Sequence, residues 1–196
     1  SGDAVRLPMG VYDIIVFNRS FNDFSNIAFR GNSYETLEAY ARKVETRVDK
    51  KTRVETRTII SSPDELAAAT LKGFTVTEDM LGNYSQTTYG RTAPSRSSEE
   101  TPDGLYHLHF VPKKLTREVS AVLHIEGLNN IRSATCRLGG VAESIFLATG
   151  KTSANTVTQE FTPSNPEFSP GSPFNGTLSC EFEIFGLNVI DNNNLH

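Results

Sequence analysis

The chain has 196 residues, which suits one large domain or two of about 100 residues each. Hydrophobic residues make up 37% and charged residues 21%, enough for a core, so wholesale disorder is excluded; no apolar run approaches the roughly 18 residues of a membrane span. Nineteen basic against 23 acidic residues, net −4, argue against a general nucleic-acid binder, and two cysteines exclude a disulfide-knot scaffold.

Along the chain, Leu7-Pro8-Met9-Gly10 turns into the β-branched and aromatic run Val11–Asn18, which predicts a strand covered on both faces. Ile27–Arg30 predicts a short strand closed by Gly31. Asn32 with Glu35 three residues on, and Tyr34, Leu37, Ala41 and Val44 at helical spacing, predict a helix over Tyr34–Lys43. Asp49-Lys50-Lys51-Thr52 suits the turn of a polar hairpin. Ser62-Pro63-Asp64-Glu65 predicts a helix start, with a short helix over Glu65–Ala69 that stops before Gly73. Phe74, Val76, Met80 and Leu81 add core. Residues 85–104, rich in Ser and Thr, read as a linker or long loop.

Beyond Gly104 the pattern alternates. Tyr106, Leu108 and Phe110 oppose His107 and His109. Val119, Ala121, Leu123 and Ile125 oppose Ser120, Val122 and His124. A turn follows at Gly127–Asn130, then strands carrying Ala134, Cys136 and Leu138, then Ser144–Ala148, Thr156–Phe161 and Thr177–Leu187. The last of these places Leu178, Cys180, Phe182 and Ile184 on one face. Four prolines between Phe161 and Phe174 predict a loop. Short strands at close spacing with no long helix predict an antiparallel sandwich in this half. Its core is expected to hold Leu108, Phe110, Leu123, Ile125, Cys136, Phe146, Cys180, Phe182 and Ile184.

Few residues suggest chemistry. His107 and His109 at alternate positions, with His124 on the next strand, have the disposition of a strand-borne zinc site, and equally that of a solvent face. Cys136 and Cys180 suit two buried thiols or a cross-strand disulfide; no histidine shares their inferred face. Arg42–Arg57 carries seven basic and three acidic residues, a pattern of anion contact or of a charged edge hairpin. No Gly-rich phosphate loop or Ser/His/Asp grouping occurs, and no cofactor is implied.

Three stretches carry a resemblance. Leu7-Pro8-Met9-Gly10-Val11-Tyr12-Asp13 through Asn18 is similar to an LP-x-G-x-Y strand ending in Asn. Phe29-Arg30-Gly31 through Glu38-Ala39-Tyr40 resembles the FRG…EAY segment that follows it. Pro112–Thr116, Ile125–Ile131 and Gly139–Ser144 resemble a P-x-x-L-T, I-x-G-x-x-N and G-x-x-A-x-S series. Together they resemble an uncharacterised family of Bacteroidales surface lipoproteins akin to fimbrillin and FimB-like fimbrial anchor proteins.

The resemblance implies a mainly β fold of two tandem transthyretin-like (Greek-key) β-sandwich domains, 1–103 with short helices and 104–196. It implies a non-enzymatic lipoprotein on the outer membrane surface, serving as anchor, tip or adhesion component of a fimbrium. Its lipid anchor would sit on a cysteine absent from this chain. Partners would be fimbrial subunits joined by strand addition at an open edge, expected after Asn194, or surface glycans. A glycan-binding sandwich is the alternative, with Tyr84, Tyr89 and Phe168 as its platform. A zinc enzyme on His107, His109 and His124 is a further one.

Overall fold

The structure is a computed structural model and describes residues 5–47, 57–81 and 106–188. Among them the only helical pieces are short 3-10 turns, and thirteen strands carry the fold. The strands are β1 Gly10–Phe17, β2 Ile27–Arg30, β3 Glu38–Ala41, β4 Lys43–Arg47, β5 Arg57–Ile60, β6 Ala67–Val76, β7 Lys113–Lys114, β8 Arg117–Ile125, β9 Cys136–Ala142, β10 Ser144–Phe146, β11 Thr156–Phe161, β12 Asn165–Phe168 and β13 Gly176–Ile184. They form four sheets, ordered β1-β6-β7, β10-β3-β2, β4-β5-β11-β9 and β12-β13-β8.

The expected helix over Tyr34–Lys43 does not form. Residues 33–37 make one turn, in which the Leu37 N–H reaches the Ser33 carbonyl at 2.9 Å. The Thr36 hydroxyl accepts the Ser33 N–H at 3.2 Å, a local bond that competes with helix growth. The chain then becomes β3, which is paired on both sides, with Ala39 and Ala41 buried. Two ladders and a period-two apolar pair outweigh the helical spacing.

The helix expected from Ser62 to Ala69 is likewise absent, because its capping groups are bonded across the molecule. The Ser62 hydroxyl accepts the Glu183 N–H at 2.9 Å, and the Asp64 carboxylate accepts the Asn26 N–H at 2.7 Å. Leu66 exchanges bonds with Leu115 and Thr116, and β6 begins directly after it.

Other expectations are met or shifted. β4 and β5 pair antiparallel across the proposed hairpin turn, which itself lies outside the described residues, as does the segment 85–104. β1 forms, but its burial is partial, with Val11 exposed. β12 occupies part of the predicted proline loop, where the lone ladder position of Pro166 is tolerated on an edge strand. Residues 106–112 belong to no strand; Leu108 is exposed and Phe110 half-buried, so neither joins the core. The second half is not purely antiparallel, since β11 pairs β5 in parallel through Thr158↔Ile59 and Gln159↔Ile60.

The boundary expected at 103/104 does not separate two cores. β7, β10, β9 and β11 join strands from before residue 82 in three of the four sheets. One cluster of buried residues draws on Ile27, Ala39, Ile60, Leu66 and Ala68 from the first half and on Val141, Ile145, Phe161, Phe182 and Phe185 from the second. Phe161 and Phe182 stack with centroids 4.4 Å apart where the β11 and β13 sheets meet.

Candidate binding surface

The residues singled out for chemistry are dispersed. His107 and His109 lie exposed in the segment before β7, and His124 lies exposed on β8 opposite Thr177. Among the described residues no group of three or more His, Cys, Asp or Glu is disposed to hold a metal ion. The strand that was to present His107 and His109 side by side is absent. Tyr84 and Tyr89 lie outside the described residues. Phe168 ends β12 and is 49% exposed, with Phe174 exposed in the loop that follows.

Cys136 and Cys180 are both free and half-buried, packed against the shared core. They flank the Phe161–Phe182 stack: Cys136 is cross-strand from Phe161, and Cys180 lies two residues before Phe182. Burial pushes the Cys180 thiol above its ordinary range, and the neighbouring Cys136 adds to the effect.

The surface around β13 is polar. A cleft of about 430 Å³ is lined by Ser120, Thr162, Ser164 and Ser179, with Asn165, Glu181 and Cys180. Among the described residues no cationic or aromatic side chain lines it, which does not suit a phosphate or an apolar ligand. Close by, Lys114 bonds the Glu183 carboxylate at 2.6 Å, and Glu183 raises the lysine's affinity for its proton.

The feature that sequence reading missed is the contrast among sheet edges. An open strand edge is a template for pairing, and proteins blunt it with shortness, charge, proline, bulges or cover. β2, β10 and β7 are short, and β7 is a pair of lysines. β12 is four residues long and contains Pro166. β4 alternates charges in its sequence Lys-Val-Glu-Thr-Arg. β1 is bulged between Tyr12 and Ile14, with Asp13 turned to accept the Gly73 N–H at 2.8 Å. β9 is covered where residues 186–188 begin to run alongside it: the Ala142 N–H bonds Gly186 and the Asn188 N–H bonds Gly140, each at 2.9 Å.

β8 has none of these devices in its middle. It pairs β13 for nine consecutive residues without a slip. From Val119 to Leu123 it carries no charge, proline or glycine, and Val122 is 55% exposed. Its other edge meets no strand among the described residues. The backbone direction follows from β13. The Glu183 N–H is bonded by Ser62, its carbonyl by Gln159 Nε2 at 2.9 Å, and the Ser179 carbonyl accepts from Ser164. Odd residues of β13 therefore point away from β8, and its even residues bond the odd residues of β8. Glu118, Ser120, Val122 and His124 are left aiming their N–H and C=O groups at the free edge. In the sequence the only trace of this edge is the alternation over Glu118–Ile125, uncharged through its middle.

Comparison with known proteins adds a family and a fold. Residues 1–162 match the family model described as "Domain of unknown function (DUF5119)". Comparison with curated proteins finds no match. Among solved structures, the chain is similar to one from Bacteroides ovatus ATCC 8483 described as a "putative adhesin", with 16% identity and a TM-score of 0.56. The likeness covers 94% of this chain and 52% of that one, so the chain spans about half the length of that structure.

Proposed function

Since the chain belongs to the DUF5119 family, whose activity is unassigned, we propose its role from its geometry: a non-enzymatic cell-surface protein that acts by binding, as a fimbria-associated anchor, tip or adhesion component. The observation that carries this reading is the β8 edge, a long and regular strand border, uncharged from Val119 to Leu123, of the kind that accepts a strand from another protein. The fold likeness to the Bacteroides ovatus structure, and that structure's description, support a surface setting. Fimbrial subunits are the partners we propose, joined by strand addition. An outer-membrane lipoprotein precursor is the form we propose for delivery.

Display of the chain on a non-adherent bacterium tests the reading. Adherence to immobilised fimbrial subunits, matrix protein and mucin is counted against an undisplayed control. Adherence well above control, reduced about tenfold by Val122→Lys at the free edge, is the expected result. Equal adherence of displaying and control cells overturns it.

A second reading has its own observation. The hydroxyl-lined cleft takes in Asn165 at the start of β12. Hydroxyls, an amide and a carboxylate suit a neutral sugar. Binding on a glycan array that falls on Asn165→Ala would favour this reading over strand addition.

A further inference from the structure

The free edge of β8 is complementary to itself. Four residues, Glu118, Ser120, Val122 and His124, present their backbone groups outward, and these groups need an antiparallel partner of the same parity. When β8 is laid antiparallel on a second β8 about a two-fold axis at Ala121, all nine residues overlap. Ser120 then stands opposite Val122 and Glu118 opposite His124, each pair occurring twice. Every outward N–H meets an outward carbonyl, and Ala121 meets its own copy in the wide, non-bonded position, where a small side chain avoids crowding. A shift by one bonding step in one direction sets Glu118 against Glu126, a like-charge pair. A shift in the other direction shortens the overlap. Charge and length thus select one register.

We propose that this protein pairs with a second copy of itself through β8, joining two three-stranded sheets into one six-stranded sheet. The inference rests on the reading of β8 as a strand-accepting edge, and it names the partner. Side chains on the solvent face of the joined sheet, Ser120, Val122, Glu118 and His124, are exposed in each copy. On the inward face, the half-buried Val119 and Leu123 of the two copies stand opposite one another. The interface is closed and isologous, so it stops at two copies. Its small area places it among transient associations, with dissociation in the micromolar range.

Sedimentation equilibrium from about 1 µM to about 1 mM, spanning the range of such interfaces, reads the association of the whole chain. The expected result is a reversible monomer–dimer equilibrium. His124→Asp sets a carboxylate against Glu118, twice by symmetry, and should weaken the dimer about tenfold. The double variant Glu118→Arg/His124→Asp opposes a guanidinium to that carboxylate and should recover the affinity to within about twofold of wild type or better. Both sites are exposed, and thermal melts confirm that the variants fold. In hydrogen exchange, the Ser120 and Val122 amides should be open in dilute monomer and protected as concentration rises.

A 21.6 kDa monomer at every concentration overturns the proposal. So does a dimer that the charge variants leave unchanged, or concentration-independent protection of those two amides. Adherence lost in Val122→Lys from a chain that is always monomeric would refute the dimer and keep the strand-accepting edge. A dimer rescued by charge exchange in a chain without adherence would do the reverse.

Discussion

Glu38 shows how one side chain can hold two segments far apart in sequence. It sits on β3, bonds Arg30 of β2, and accepts the Ser144 hydroxyl of β10 at 2.5 Å. Burial alone would raise its proton affinity, but the bonds from Arg30 and Ser144 outweigh it and hold the carboxyl below its ordinary range. A carboxyl depressed by folding contributes stability above its unfolded value that fades as pH falls toward the folded one. Urea melts of wild type should therefore weaken from about pH 4.5 downward. Glu38→Gln should be less stable by about 1 kcal/mol at pH 7, the exposed side of Arg30 limiting the loss, and should show a flatter acid slope. The Cys180 thiol, shifted the opposite way by burial, should react with a disulfide reagent at neutral pH more slowly than a free cysteine peptide.

At the scale of elements, two glycines mark places where strands meet without room for a side chain. Gly31 has φ +101°, and a Cβ there would lie 2.1 Å from the Thr36 carbonyl oxygen, inside the turn before β3. A Cβ at Gly176 would lie 2.2 Å from the Glu167 carbonyl of the adjoining β12. Gly31→Ala and Gly176→Ala should each cost about 2–3 kcal/mol or more in denaturant titration, since backbone must move to admit the methyl. Gly31 was legible in the sequence as the close of a short strand, and the alternating β8 and β13 were legible from period two alone. The two helices were not. Asn32…Glu35 and Ser62…Glu65 are sound local caps, and nothing in the local sequence reveals that Ser62 will serve Glu183 or that β3 will be flanked on both sides. Edge exposure was hidden for the same reason: whether β8 borders solvent depends on sheet order, which is a property of pairing and not of composition.

For the molecule as a whole, the core belongs to no single half. Phe161 and Phe182 stack at its centre, and the Phe17, Phe21, Phe24 and Phe29 rings form a second group at the β1–β2 end, with Phe21 half out of it. Phe182→Ala removes a stacked, buried ring and should cost about 3–5 kcal/mol, seen as a large fall in melting temperature. Phe21→Ala, with the ring 52% exposed, should cost much less. Histidines and loop aromatics stand out in a string of letters. The binding surface proposed above consists of backbone groups, which every residue has and which only topology leaves unpaired.

The parallel step between β5 and β11 joins Ile59–Ile60 to Thr158–Gln159, about half the chain away in sequence. Contacts of such wide sequence separation are closed late and slowly, because loop entropy is lost before the contacts compensate it. A growing chain thus has no finished core until β13 has emerged. Cut near 103/104, each half should lack fixed structure alone, with little near-ultraviolet dichroism. Mixed together, the halves should regain it as a non-covalent complex. Refolding of the intact chain should follow the slow time course of an all-β protein, in the range of milliseconds to seconds.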